Sequence, residues 1–319
     1  MSDNITFIND TFIESNTDFG EIIGLLKNAM ASSLIEVPLR HHHELTNPEE
    51  QEKSTLLLMP AWNPGKDAGV KLVTVSPNNS RYNLPSIQGV YIYFDMRQGG
   101  IKAILAASAL TAKRTAAASA LASSYLTVKD ASSLLMIGTG KLSPNLILAH
   151  AAVRPIKQVF VWGRSMDKAV KIQEQLKGQP FTVEIVSTIE EKIDEVDIIS
   201  CATLSKTPLI PGKRLRRGQH LDLVGAYKTD MRETDDDAIV KSTLFVDSYQ
   251  GALQEAGELV IPLKKGLITE NDIKADLFDL CAGNKPGRNS AEQITLFKSV
   301  GHAIEDLVAA GYYYEKFKR

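Results

Sequence analysis

The run Leu134-Leu135-Met136-Ile137-Gly138-Thr139-Gly140-Lys141-Leu142-Ser143 carries the clearest chemistry in the sequence. Four apolar residues precede two glycines spaced one residue apart, and Pro144 follows. An uninterrupted apolar run suits a parallel strand buried on both faces. Proline suits a first helical turn, where its missing N–H has no intrahelical partner to lose. The pattern therefore reads as strand, glycine turn, helix. In such a unit the first glycine permits the tight turn and the second lets the backbone approach a pyrophosphate, whose charge the helix N-terminus meets. Ser143 replaces the usual third glycine, a position that mainly sets helix–strand packing. Gly138, Thr139, Gly140, Lys141 and Leu142 are thus candidate contacts to a dinucleotide. A lone Gly-x-Gly also ends strands for purely conformational reasons; here a second strand at the proper distance, 158–162, strengthens the functional reading.

That second strand ends in Val161-Trp162-Gly163-Arg164-Ser165, without the acidic residue that binds the ribose 2′-hydroxyl of NAD. Arg164 can pair with a 2′-phosphate instead, and Ser165 can add a hydrogen bond. NADPH is the expected cofactor, with NADH bound more weakly, and Gly163, Arg164 and Ser165 join the cofactor set. The plainer alternative for Arg164 is a solvated loop arginine.

Two further cations stand in apolar surroundings. Lys71 lies in a strand-like run, 70–75, and Arg114 in an alanine-rich helix, 111–126, with Thr111 as its expected N-cap. Cations so placed seek an anionic ligand; the plainer alternatives are an internal salt bridge or surface exposure. His41-His42-His43 are adjacent, and sequence neighbours rarely converge on one metal ion. They are read as loop or strand residues that shape a pocket beside Arg40, any one able to act as an acid near neutrality. Asp235-Asp236-Asp237 reads as a solvated helix start, and no metal is expected.

The elements that must position these residues change character along the chain. The first third mixes a helix at 21–34, strands at 56–60, 70–75 and 87–94, and a hairpin into 101–106. From 134 onward, strands at 134–137, 158–162, 182–186, 197–201, 221–224 and 244–246 alternate with helical or loop segments. The fold class is α/β: a Rossmann-type doubly wound parallel sheet plus a mixed α+β domain. The stretch 291–310 has helical spacing and is expected to return to the first domain. A length of 319 residues suits two domains of about 150 each. The net charge of −2 and the scattered basic residues exclude a nucleic-acid binder. Two cysteines in unrelated contexts exclude a disulfide scaffold. No signal peptide and no apolar run of membrane-spanning length is read, so a soluble cytoplasmic protein is expected.

The chain resembles the ornithine cyclodeaminase/mu-crystallin family over almost its whole length. The resemblance rests on Gly69-Val70-Lys71, Leu84-Pro85-Ser86, the alanine-rich run from Leu110 through Arg114 to Ala122, Ile137 to Gly140, Cys201-Ala202-Thr203, Val246-Asp247-Ser248 and Phe297-Lys298-Ser299-Val300-Gly301. It implies a substrate-binding and dimerisation domain (1–118 with 302–319), a Rossmann domain (119–301) and a homodimer. It also implies that Arg40, Lys71 and Arg114 hold a substrate carboxylate, with Ser86 a further substrate-binding residue. Ala202 and Thr203 would contact the cofactor, and Lys298 and Ser299 would lie near its nicotinamide.

One departure selects the chemistry. Ornithine cyclodeaminases carry an aspartate soon after the glycine matching Gly225; here Tyr227 takes its place, and Asp230 is expected only to cap or be solvated. Cyclodeamination then lacks its base, whereas imine reduction does not require one. The expected activity is reduction of a cyclic ketimine, Δ1-pyrroline-2-carboxylate or Δ1-piperideine-2-carboxylate, to L-proline or L-pipecolate, with Lys71 as the candidate proton relay. The alternatives are an ornithine cyclodeaminase, an amino-acid dehydrogenase of the alanine dehydrogenase branch, and a non-catalytic NADPH-binding protein of mu-crystallin type.

Overall fold

In the computed structural model, which describes residues 5–48 and 53–319, the chain divides into two compact units. One runs to Arg114 and is joined by Ala303–Arg319; the other is Thr115–His302.

The first unit opens with β1 (Thr6–Ile8), α1 (Asp10–Ser15) and α2 (Phe19–Ser32). Strands β2 (His41–Leu45), β3 (Ser54–Asn63), β4 (Asp67–Val75), β5 (Ile87–Asp95) and β6 (Ile101–Ala106) follow. They form a mixed six-stranded sheet in the order β1-β6-β5-β4-β3-β2, parallel only between β1 and β6. Along β3 to β6 burial alternates: Leu57, Met59, Lys71, Val73, Tyr91, Tyr93, Ala103 and Leu105 are buried while their neighbours are half-exposed. That alternation is the period-2 signature of a sheet covered on one face. Gly69 leaves room for a neighbour's ring, since a Cβ there would stand 2.1 Å from the Tyr91 phenol oxygen.

Helix α3 (Ala107–Leu126) continues directly from β6, so the expected N-cap at Thr111 is corrected: that residue is interior. The start lies earlier because Asp10, on α1, accepts from the Ala109 N–H at 2.7 Å, a cap supplied by another element.

The second unit holds β7 (Ser133–Ile137), α4 (Leu142–Val153), β8 (Gln158–Trp162), α5 (Met166–Gln175), β9 (Thr182–Ile185), β10 (Ile198–Cys201) and β11 (His220–Leu223). It continues with α6 (Asp236–Lys241), β12 (Thr243–Val246), α7 (Tyr249–Glu255), α8 (Gly257–Lys264), β13 (Ile273–Asp276), α9 (Leu277–Ala282) and β14 (Thr295–Lys298). Eight strands form an all-parallel sheet in the order β13-β12-β14-β11-β10-β7-β8-β9. From β7 the chain builds outward through β8 and β9, then returns to place β10 on the other side of β7. Ligand crevices of doubly wound sheets open at such a reversal, outside the carboxyl ends of the strands. Asp235 caps α6 by accepting from the Ala238 N–H at 2.9 Å, as the acidic run suggested.

The helix expected over 291–310 is corrected. Its first part is β14, fully buried between β11 and β12, and α10 (Ala303–Phe317) begins only after the turn at Gly301, whose φ is +86°. A short apolar run satisfies both periodicities, and here neighbours on both sides decide for strand. Helix α10 packs against α2 and against β3, β4 and β5 of the first sheet.

Candidate functional site

In the second unit, β7 delivers its backbone into the glycine turn. Gly138 has φ +117°, and a Cβ there would stand 2.7 Å from the Ala202 carbonyl, so only glycine suits this left-handed, closely approached position. At Gly140 an added Cβ would meet nothing within 4 Å, so the second glycine borders open space. The Ser143 hydroxyl donates back to the Gly138 carbonyl at 2.9 Å and pins the turn. Lys141 sits at the N-cap of α4 without a side-chain cap bond, leaving that helix terminus uncapped from within. Leu142 opens the helix. Gly163, beyond β8, makes room for Thr139: a Cβ there would lie 2.5 Å from its methyl carbon. Arg164 is exposed and makes no ion pair among the described residues; Ser165 is the N-cap of α5 but leaves its hydroxyl out of the cap. Open space at the second glycine, an uncapped helix terminus and a cation past the second strand fit the pyrophosphate and ribose of a dinucleotide.

Ala202 and Thr203 follow β10, on the other side of the reversal. A buried carboxylate organises this edge. Glu233 accepts from the Thr203 N–H (2.7 Å) and hydroxyl (3.0 Å) and from the N–H groups of Gly225 (3.1 Å) and Ala226 (3.2 Å). Gly225 is obligatory, since a Cβ would lie 2.0 Å from the Thr203 nitrogen. Burial raises the Glu233 pKa; the nearby Lys298 charge opposes this and Glu258 adds to it. Lys298 is fully buried on β14 with Nζ 3.7 Å from Glu233. Ser299, also buried, donates to Asp247, which also receives the Val300 and Gly301 N–H groups at 2.7 and 2.6 Å. The sequence reading missed Glu233 and its partner Glu258; acids inside a stretch that otherwise folds inward are the only signal. Tyr227 follows β11, half-buried, and burial raises its phenol pKa. Asp230 is solvated, as expected: it lies exposed at the surface, ion-paired with Lys206 at 2.8 Å.

In the first unit, Lys71 (β4) and Arg114 (α3) are brought together. Lys71 Nζ lies 3.0 and 2.9 Å from the two oxygens of Asp306. Arg114 Nε is 3.0 Å from the same Asp306 Oδ1, and its Nη1 is 2.5 Å from Glu305. All four are buried. Burial, and then the Arg114 charge, push the Lys71 pKa down to about 8, against the raising effect of Asp306 and Glu305. The two acids, both on α10, are the partners that sequence reasoning left unnamed. Arg40 is half-buried just before β2, two strands from β4, and Ser86 is exposed just before β5. His41, His42 and His43 lie exposed on edge strand β2. Among the described residues no group of three or more His, Cys, Asp or Glu is placed to hold a metal, and no helix is long and apolar enough to cross a membrane.

Comparison with known proteins agrees with this fold. A delta(1)-pyrroline-2-carboxylate reductase of Colwellia psychrerythraea is 37% identical over 307 residues, covering 95% of this chain and 96% of its own. The delta(1)-pyrroline-2-carboxylate reductase of Thermococcus litoralis, solved with NADH and L-proline, superposes with a TM-score of 0.92 at 33% identity, covering 98% and 97%. An archaeal alanine dehydrogenase dimer with bound NAD superposes at 0.89 with 27% identity, covering 98% and 95%. The model of the ornithine cyclodeaminase/mu-crystallin family matches residues 11–319. A doubly wound parallel sheet, a mixed second sheet and near full-length likeness to its members place this chain in that family.

Proposed function

We propose that this chain is an NADPH-preferring reductase of cyclic ketimines, taking Δ1-pyrroline-2-carboxylate to L-proline and accepting Δ1-piperideine-2-carboxylate for L-pipecolate. The observation that carries the reading is the convergence of Lys71 and Arg114, from a strand and a helix, on one buried cluster. It occurs in a chain 33% identical to a reductase solved with L-proline. The Lys71 ammonium and the Arg114 guanidinium, with Arg40 and Ser86, bind the ring carboxylate and orient the C=N bond. Orientation of this kind supplies at best about 7–11 kcal/mol of a barrier. Gly138 to Leu142 would hold the cofactor, whose chemistry when bound would be a hydride for C2 of the imine. Lys71 holds a proton at Nζ that can pass to the ring nitrogen. The backbone from Gly138 to Leu142 holds the pyrophosphate, Gly163, Arg164 and Ser165 the phosphorylated ribose, and Ala202, Thr203, Lys298 and Ser299 border the nicotinamide.

NADPH is preferred over NADH because Arg164, exposed and without an ion pair among the described residues, replaces the acid that would select an unphosphorylated ribose. Tyr227 in the place of an acid speaks against cyclodeamination. The functional assembly is a homodimer: on the sheet face away from α10, Leu58, Val70, Leu72, Val90, Ile92 and Ile104 are only half-buried, an apolar patch fit for a second copy. Residues 1–118 with 302–319 form the substrate-binding and dimerisation domain, and 119–301 the cofactor domain.

The test is the loss of NADPH absorbance on adding Δ1-pyrroline-2-carboxylate. Turnover is expected; none with this imine or its six-membered homologue rejects the reading. Ammonia release from L-ornithine without net cofactor consumption would favour the cyclodeaminase.

A further inference from the structure

Lys71 and Arg114 each face a fixed negative charge inside the protein before any ligand arrives. Asp306 touches both cations, Glu305 touches Arg114, and neither acid has exposed surface. The two acids are sequence neighbours on α10, and the segment around them is otherwise Ala303, Ile304, Leu307, Val308, Ala309 and Ala310. Adjacent acids in so apolar a helix are costly to bury unless paired. The other buried residues of β4, Gly69 and Val73, offer no charge for them to meet, so Lys71 is what this strand sets against them.

The groups around the Lys71 ammonium form a short list. Asp306 and Glu305 approach from α10 and Arg114 from α3. On β5 the register partner is Tyr91, whose buried hydroxyl has no hydrogen-bond partner among the described residues; on β3 it is apolar Met59. Burial and Arg114 work against a charged lysine, and only the two carboxylates work for it.

We propose that Asp306, seconded by Glu305, is the positioning residue of the substrate clamp: one carboxylate fixes the Lys71 and Arg114 headgroups side by side and supplies the countercharge that holds Lys71 as an ammonium. The proposal rests on reading Lys71 and Arg114 as the carboxylate clamp. It assigns Asp306 no contact with substrate; Asp306 acts through the two cations. Without its charge, Lys71 loses a proton at lower pH, and the clamp weakens while the folded cofactor unit is untouched.

The experiment uses full-length wild type and the Asp306→Asn, Asp306→Glu and Glu305→Gln variants. Lysine labelled with 13C at Cε reports the Lys71 titration by NMR, its resonance assigned through Lys71→Arg. In parallel, KM and kcat for Δ1-pyrroline-2-carboxylate are followed against pH. Asp306→Asn is expected to move the Lys71 midpoint, and the alkaline limb of kcat/KM, acidic by about one to three pH units. KM should carry the loss, and Asp306→Glu should restore the limb. Glu305→Gln should shift the same way by less. A structural defect alone would lower the active fraction without moving either midpoint. An unmoved Lys71 midpoint in Asp306→Asn overturns the proposal. If that variant does not fold, an unmoved midpoint in Glu305→Gln overturns it. The NMR arm needs no turnover, so an inactive wild type would reject the reductase reading while Asp306 is still judged.

Discussion

Oδ1 of Asp306 stands 3.0 Å from the Lys71 ammonium and 3.0 Å from Nε of Arg114, so one oxygen serves two cations from different elements. Displacing either cation therefore disturbs the other. Removing one member of a buried pair strands its partner's charge, at a cost of about 3–5 kcal/mol.

The protonation of Lys71 should be visible in substrate affinity. With its pKa pushed down to about 8, Lys71 is an ammonium below that pH and neutral above it. KM for the imine is expected to rise as pH climbs through about 8, because a neutral amine no longer attracts a carboxylate. Arginine keeps its charge throughout, so Lys71→Arg should show a KM that is higher but flat over the same range. Initial rates across pH decide; a steep rise retained in Lys71→Arg would assign the limb to another group.

Arg164→Asp should invert cofactor choice. Losing a charged hydrogen bond worth about 1.5–3 kcal/mol weakens NADPH roughly ten- to hundredfold, and the new carboxylate can meet a free 2′-hydroxyl of NADH. Nicotinamide fluorescence titrations with both cofactors measure this. Equal weakening of the two would leave Arg164 a solvated loop residue.

Leu72→Glu places a charge in the middle of the half-exposed sheet face. Light scattering after size exclusion is expected to show a dimer for wild type and a monomer for the variant, with thermal stability reduced. A variant that stays dimeric would move the interface elsewhere.

Acid sensitivity should trace to His220. Burial, its largest influence, pushes its pKa down to about 3, and the ring is held neutral against Thr295 at 2.9 Å. In the unfolded chain it titrates near 6.5. The unfolded state therefore binds more protons between about 6.5 and 3, and stability falls as pH drops through that window. Asp222 acts lower: burial alone would raise its pKa, but the hydrogen bonds with His150 and from the Ser200 hydroxyl lower it, so its contribution fades only below about 3.8. Melting curves between pH 7 and about 5 should decline for wild type and flatten in His220→Gln. Parallel curves would exonerate His220.

The doubly wound unit was legible because its signals are local. A four-residue apolar run, two glycines and a proline fix strand, turn and helix within a dozen positions, and Gly138 stands where they place it. Strand β14 was not, because Ile294, Phe297 and Val300 recur at helical spacing around a run of only four residues, and only β11 and β12 on its flanks decide. The start of α3 escaped for the same kind of reason: its cap is Asp10, far away in sequence. In the candidate site, Lys71 and Arg114 were visible as cations in apolar company. Their partners were not, since Glu305 and Asp306 look like the solvent face of an amphipathic helix until that helix is known to be buried around both. The usable clue was that two adjacent acids sit in a stretch without other polar residues from Ala303 to Ala310.

Helix α10 is delivered by the ribosome after everything it covers, since β3, β4 and β5 precede it by some two hundred residues of intervening chain. During synthesis the all-parallel sheet can close on itself, whereas the mixed one waits with its inner face bare and two cations lacking their counterions. Long-range closure of this kind is slow and leaves apolar surface open to misassociation. Nascent chains stalled before Ala303 should therefore carry a finished nucleotide fold and depend on holdase chaperones for the rest.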